Sequence, residues 1–448
     1  MTESDRPTTP VEETPRGRSL PHWSDSDGEI PTLVRGDGVR VYDDEGTEYL
    51  DFASQLYCVN AGHSEETIVE AMTEQARKIP YVSSSKHNDA RTELARRLAE
   101  IAPGDLSEVY FAISGSEANE AAVQFARAEQ DAPKVLTRWR SYHGATYGAA
   151  ALTGDPETRA TVERYAATSG SGKFLPPIPA AFDAESPEDL AEKAADHLEF
   201  VIRNEGPDSV AAVLMEPVGG TSGAFPAPPG YFERVRDLCD EYDILLISDE
   251  VITGFGRCGD WFGIEAEEVQ PDMITFAKGV TSAYAPLAGV LVRDSLGDSL
   301  REEGIDVGQT FAGHPVACAA GVAAMDAYDD RLLDNARAVA PTLESELRAL
   351  GDTHEEVCDV RGRGLLWAVE FADPATGDPF VDPWAGEEDE GGDNPVMTVK
   401  EAATDAGVLV GGGRPGFQLV VAPPLCADEE DVREAVGVLD DATGEVFG

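Results

Sequence analysis

The sequence predicts an α/β fold: a large domain built on a doubly wound, mostly parallel sheet, with a smaller α+β domain beside it. Three observations carry this reading. From about residue 65 to 330, helical and extended patterns alternate, the signature of repeated strand-helix-strand units. The extended segments are continuous apolar runs, such as Ile244-Leu245-Leu246-Ile247 and Met273-Ile274-Thr275-Phe276, as expected of strands covered on both faces. Two of these runs end on charged residues, Asp249 and Lys278, and open α/β sheets bind ligands at the carboxyl ends of their strands.

Residues 1–29 are rich in Pro, Thr, Ser and acids and predict a loose N-terminal arm. Residues 30–64 belong to the small domain, with short strands over 39–42 and 47–52 joined by the turn Asp43-Asp44-Glu45-Gly46. In the large domain, 65–330, helices are expected to start near Glu65, Asp89, Ser116, Pro187, Pro229 and Pro315. Strands are expected over 108–113, 134–137, 209–215, 244–248, 273–277 and 289–292. The C-terminal small domain, 331–448, reads as a helix over 332–350, strands over 356–361 and 365–371, and helices near Thr398 and Asp428. Within it, residues 377–394 (GDPFVDPWAGEEDEGGDN) are too acidic and too rich in Pro and Gly for a core, and predict an exposed insertion.

A chain of 448 residues that is 42% hydrophobic can bury a large core. Its net charge of −51 comes from acids spread along the whole sequence, which excludes a general nucleic-acid binder, whose affinity rests on Lys and Arg. Only 7 of the 34 basic residues are lysines, leaving 34 − 7 = 27 arginines. Dispersed acid, scarce lysine and a pI near 4.2 point to a surface adapted to concentrated salt. The six cysteines (Cys58, Cys239, Cys258, Cys318, Cys358, Cys426) are scattered without a C-x-x-C pair, the usage of free thiols in a reducing compartment rather than of a disulfide framework or metal site. With no apolar signal core and no apolar run of 18 residues, a soluble cytoplasmic protein is expected, with no membrane contact.

Asp249 and Lys278 could form a structural ion pair. They are also what pyridoxal 5'-phosphate (PLP) requires: a carboxylate to keep its ring nitrogen protonated and an amine to hold its aldehyde. A chain this poor in lysine that still places one after an apolar strand argues for a needed amine. Residues 108–122 (EVYFAISGSEANEAA) read as strand, small-residue turn and Ala-rich helix, so the N–H groups of Gly115 and Ser116 are candidates to hold a phosphate. Ser116 could equally be no more than a helix cap. Residues 140–148 (RSYHGATYG) place Tyr142 and His143 after another strand, where a flat ring either stacks on a pyridine or simply packs.

In this order and spacing the pieces resemble the class III PLP-dependent aminotransferases of fold type I, from about Val39 to Leu425. The segments that carry the resemblance are SGSEANEAA, YHGATYG, MEPVGGTSGAFPAPPGY, ISDEVITGFGRCGDWFG, FAKGVTSAYAPLAG, GQTFAGHPVACAA and VVAPPL. It implies that Lys278 is the Schiff-base lysine and proton carrier, and that Asp249 pairs with the ring N–H. Val251 and Tyr142 would cover the two ring faces, and Gly115 and Ser116 would bind the phosphate. Thr310 of GQTFAGHP would reach that phosphate from a partner subunit, which implies a homodimer with shared sites. His143 and Glu216 would touch the cofactor or support groups that do.

Ornithine-like and γ-aminobutyrate-like members carry Glu and Gln where this chain has Thr221 and Ile252, so it is more similar to the ω-amino acid and amine:pyruvate branch. Residues 55–60 (QLYCVN) match that branch's G-L-W-C-V-N pocket segment, with Tyr57 for Trp and Gln55 for Gly. Arg414, on the glycine loop 411–415, is either the fork for an acceptor carboxylate or an ordinary exposed arginine. The implied activity is ping-pong transfer of an amino group from an amine or ω-amino acid to pyruvate or another 2-oxo acid. An aminomutase or racemase would use the same lysine and aspartate. A non-catalytic acidic scaffold would have no use for Lys278, Asp249 and Thr310 together, and a nucleotide binder would need a G-x-G-x-x-G that is missing after the first strand.

Overall fold

The computed structural model describes His22 and residues 31–163, 170–382, 384 and 394–448. The expected N-terminal arm, His22 apart, and most of the expected acidic insertion lie outside the described residues.

The described chain opens with β1 (Leu33–Asp37), β2 (Arg40–Asp43) and β3 (Glu48–Asp51), an antiparallel ribbon, and then the single turn α1 (Ser54–Tyr57). Helices α2 (Glu66–Lys78) and α3 (Asp89–Ile101) lead into β4 (Leu106–Ala112), α4 (Gly115–Gln130) and β5 (Lys134–Arg138). After α5 (Tyr147–Leu152), α6 (Pro156–Glu163) and β6 (Ser171–Phe174) come α7 (Pro187–Glu205), β7 (Val210–Met215), α8 (Tyr231–Glu241), β8 (Leu245–Asp249) and β9 (Met273–Phe276). The large domain continues through β10 (Ala288–Arg293), α9 (Asp294–Glu303) and α10 (Pro315–Ala327). The remaining elements are α11 (Leu333–Thr353), β11 (Val357–Arg363), β12 (Leu366–Phe371), α12 (Pro395–Asp405), β13 (Val408–Leu409), β14 (Gly411–Gly412), β15 (Gln418–Val421) and α13 (Glu429–Phe447).

Among the described residues, seven strands build the central sheet in the order β4-β10-β9-β8-β7-β5-β6. Only β10 runs antiparallel to its neighbours β4 and β9, so the sheet is mostly parallel, as the buried apolar runs predict. Every residue of β7, β8 and β9 is buried. Phe276 of β9 packs against Phe255, which also meets Phe262 and Tyr328; all four are fully buried, and each contributes about 2 kcal/mol through burial. The C-terminal part closes on the N-terminal one: β13 pairs parallel with β3, placing Leu409 opposite Asp51.

The sequence pattern does not anticipate β1, α1, α5, α6, β6, α9, β13, β14 and β15. β6 reads Ser-Gly-Lys-Phe and lies at the sheet edge, where one side needs no apolar cover and the pattern that betrays a central strand is lost. β1 is exposed along most of its length and is held by main-chain pairing to β2. All six cysteines are free of disulfides.

Candidate active site

Parallel strands β8 and β9 bring the two charged strand ends together. Asp249 closes β8 opposite Thr275 of β9, and three residues beyond Thr275 the chain reaches Lys278. The Asp249 carboxylate is 2% exposed. Its Oδ2 accepts from Asn119 Nδ2 at 2.9 Å and His143 Nδ1 at 2.7 Å, and its Oδ1 accepts from the Val251 N–H at 3.0 Å. The structural ion-pair alternative is therefore corrected: among the described residues Asp249 and Lys278 form no direct pair, and Asn119, His143 and the Val251 N–H hold the carboxylate instead. With one donor on Oδ1, the carboxylate retains acceptor capacity for a further hydrogen bond.

Lys278 has a left-handed backbone, φ 45°, at the start of a short 3-10 turn. Its Nζ lies 5.6 Å from the centroid of the Tyr57 ring. Burial pushes its pKa down from the ordinary lysine value; Cys58, Asp249 and Glu216 pull it back, while Arg257 lowers it further. The result favours a neutral, nucleophilic amine.

The start of α4 faces the same region. Ser114, not Ser116, is its cap, accepting from the Glu117 N–H at 3.3 Å while Glu117 Oε2 accepts from the Ile113 N–H at 3.0 Å. The capping alternative for Ser116 is thus corrected, because the helix begins one residue earlier than the Ala-rich pattern shows. Ser116 Oγ instead accepts from the Ala145 N–H at 3.3 Å. A Cβ on Gly115 would lie 3.1 Å from both γ carbons of Val251, and one on Gly144, whose φ is 128°, would meet Ser116 Oγ at 2.2 Å. Two glycines therefore keep open a cradle between a helix start and Val251, where first-turn N–H groups and the helix dipole favour an anion.

Tyr142 is half-buried next to this cradle. Its backbone N–H donates to Glu216 Oε1 at 3.3 Å, and Glu216 Oε2 pairs with Nη2 of the fully buried Arg138 at 2.8 Å. Glu216 thereby holds Tyr142 from behind. Burial raises the Tyr142 and Tyr57 pKa values, and in both cases the Arg414 charge opposes the rise. Arg414 is also anchored: its N–H donates to Thr221 O at 2.8 Å, and its Nη1 reaches Thr158 Oγ1 at 3.2 Å and Asp155 Oδ2 at 3.4 Å. The alternative of an ordinary exposed arginine is corrected by these contacts.

Tyr57 is 5% exposed and its hydroxyl abuts Gly411, where a Cβ would come within 2.2 Å. Ile252 is buried against Gly220. Thr310 is exposed, its carbonyl accepting from Tyr81 Oη at 3.0 Å; among the described residues it shares no hydrogen bond with the cluster around Lys278.

Sequence reasoning misses Asn119 and Arg138. Asn119 lies within the quoted SGSEANEAA segment and is 1% exposed, but in the sequence nothing sets it apart from the other polar residues of that helix. Arg138 ends β5 as a charge after apolar residues, the same signal that singles out Lys278. Among the described residues no group of three His, Cys, Asp or Glu could hold a metal ion, and no helix is long and apolar enough to cross a membrane.

The donor set suits a flat phosphorylated aldehyde with a basic ring nitrogen. Asp249 offers a buried acceptor, Gly115 and Ser116 the N–H groups of a helix start, Val251 and Tyr142 two partly exposed faces, and Lys278 an amine. PLP fits these residues.

A family model described as Aminotransferase class-III matches residues 24–443. A probable aminotransferase of Mycobacterium tuberculosis is 42% identical over 366 residues, covering 79% of this chain and 78% of that protein. The structure of a taurine:2-oxoglutarate aminotransferase from Bifidobacterium kashiwanohense, in complex with PLP and glutamate, superposes with a TM-score of 0.90 at 32% identity over 95% of each chain. An (S)-enantioselective ω-transaminase from Thermomicrobium roseum superposes with a TM-score of 0.86 at 34% identity, over 94% of this chain and 93% of that one.

Proposed function

This chain belongs to the class III aminotransferases, PLP-dependent enzymes of fold type I, and from that membership we propose that it moves an amino group from an amine or ω-amino acid to pyruvate or another 2-oxo acid, in two half-reactions at one site. The observation that carries the reading is Arg414, anchored to Thr221 on the loop whose Gly411 abuts the Tyr57 hydroxyl. A guanidinium there suits the carboxylate of an oxo acid, and the tyrosine rings suit the apolar body of an amine.

When bound, PLP supplies the carbonyl that receives the amino group and a ring that takes up electrons. The chain does the rest. Lys278 would anchor the cofactor and carry the proton that must leave one carbon and arrive at another, a role that its lowered pKa supports. Asp249, held by Asn119 and His143, would receive the ring N–H. Gly115 and Ser116 would hold the phosphate, and Val251 and Tyr142 would lie against the ring. Glu216, itself paired with Arg138, holds the Tyr142 backbone N–H. Thr310, exposed in the single chain, would complete the phosphate site of a second copy in a homodimer.

The test is an absorption spectrum of the purified protein with PLP, before and after adding amines, ω-amino acids and 2-oxo acids. A near-visible band that one donor bleaches and pyruvate restores is expected. A band that no donor bleaches would favour an aminomutase or racemase. Arg414→Ala should raise KM for the oxo acid about 10- to 100-fold, the loss of a charged hydrogen-bonded pair, and leave KM for a simple amine unchanged. Unchanged acceptor kinetics would remove Arg414 from the site.

A further inference from the structure

The turn that carries Tyr57 holds a conformation that its sequence resists. Ser54, Gln55 and Tyr57 have φ of 44°, 59° and 59°, and Gln55 combines this with ψ −90°. Non-glycine residues persist there only when their surroundings enforce it. The enforcement is visible on Gln55. Its N–H donates to both oxygens of Asp51, at 2.9 and 3.0 Å, and its Nε2 donates to Asp51 Oδ2 at 2.9 Å. His63 Nε2 donates to the same Oδ2 at 2.8 Å.

Asp51 is fully buried and built into the sheet beside Leu409, so it is the fixed end of the arrangement. The other side of the turn is fastened through Ser54, whose hydroxyl donates to Ala422 O at 2.6 Å and accepts from Arg257 Nη2 at 3.1 Å. Hydrogen bonds to a buried carboxylate are among the stronger ones a side chain makes. What they position is Tyr57, buried between Gly411 and the Lys278 amine.

We propose that Asp51, Gln55 and His63 form a latch that presses Tyr57 toward Lys278, and that this latch sets how large an amino donor the site admits. The proposal rests on the transaminase reading above. All three are positioning residues, acting on substrate through Tyr57. A residue that merely satisfied a buried carboxylate would alter stability and leave donor selection alone.

Two measurements decide it. The first is hydrogen exchange in the cofactor-free protein at the amides of Tyr57, Cys58 and Val59, which donate to Ala53 O, Ser54 O and Ser54 O at 2.9, 3.0 and 3.2 Å. Gln55→Leu keeps the bulk and removes the amide tether; exchange about tenfold faster is expected. Gln55→Gly, which tolerates the left-handed turn, should exchange as fast. Slow exchange in Gln55→Gly would assign the effect to backbone strain and overturn the latch.

The second measurement is kcat and KM of the PLP-loaded Gln55→Leu variant over amines of increasing size. The ratio of kcat/KM for the largest donor to that for the smallest should rise about tenfold, with kcat for the smallest within about twofold of wild type. Equal losses for all donors would sink the proposal. If the wild type turns over no donor, the transaminase reading and the donor gate both fail, while the exchange data still decide whether the latch holds the turn.

Discussion

Lys278 illustrates what a single residue can be asked. Burial depresses the pKa of its amine below the ordinary 10.5. A base so depressed binds fewer protons in the folded than in the unfolded chain between the two values, so its contribution to stability rises with pH across that window. Lys278→Met removes this term. The cofactor-free variant should be more stable than wild type at neutral pH, and the gap in urea midpoints should narrow as pH climbs toward 10.5; a gap independent of pH would contradict the burial argument. Asp249 and Lys278 were legible in the sequence because charges interrupt apolar runs. Asn119 was not, since an Asn inside a helical Ser-Glu-Ala-Asn-Glu run looks like surface until the helix face is known.

Helix α4 and strand β8 meet at the site, and each ends in a device that can be tested. Ser114→Ala removes the α4 cap and should lower stability by about 1 kcal/mol, read from the denaturation midpoint, with weakened PLP affinity because the phosphate-facing N–H groups fray. Beyond β8, Glu250 ties the strand end to the following loop. Its Oε2 and Oε1 accept from the Gly263 and Ile264 N–H groups, both at 2.8 Å, and Thr253 and Ser248 donate to it as well. Burial outweighs these bonds and raises its pKa from 4.5 to about 7. An acid raised in this way binds more protons folded than unfolded inside that window, so its contribution falls as pH rises from 4.5 to about 7. Whatever the offset of Glu250→Gln, wild-type stability relative to the variant should decline over that range; a rise would show that the four donors win instead. The interior strands could be read from sequence because both faces demand apolar residues. Edge strand β6 and the short helices α5 and α6 could not, because local pattern carries little burial information at a rim.

Across the whole molecule the net charge of −51 is the dominant long-range term. Exposed ion pairs such as Glu93 with Arg96 and Arg97 recover little of that repulsion, whereas raising salt from about 0.1 M to about 1 M shortens screening from about 10 Å to about 3 Å. Thermal unfolding should therefore move to higher temperature as KCl rises over that range. An unfolding temperature that falls with salt would mean that local pairs outweigh global repulsion. The alternation of elements, the mostly parallel sheet and the two charged strand ends are local-pattern properties, each readable within a window of some ten residues because period and burial coincide there. The partners were settled only in three dimensions. The contacts of Arg414 with Thr158 and Thr221, of Arg257 with Ser54, and of Asp249 with Asn119 join segments far apart in the chain. Hydrogen bonds need atoms within about 3 Å, and separation along the sequence does not encode that proximity; the folded sheet and its closing C-terminal strands create it.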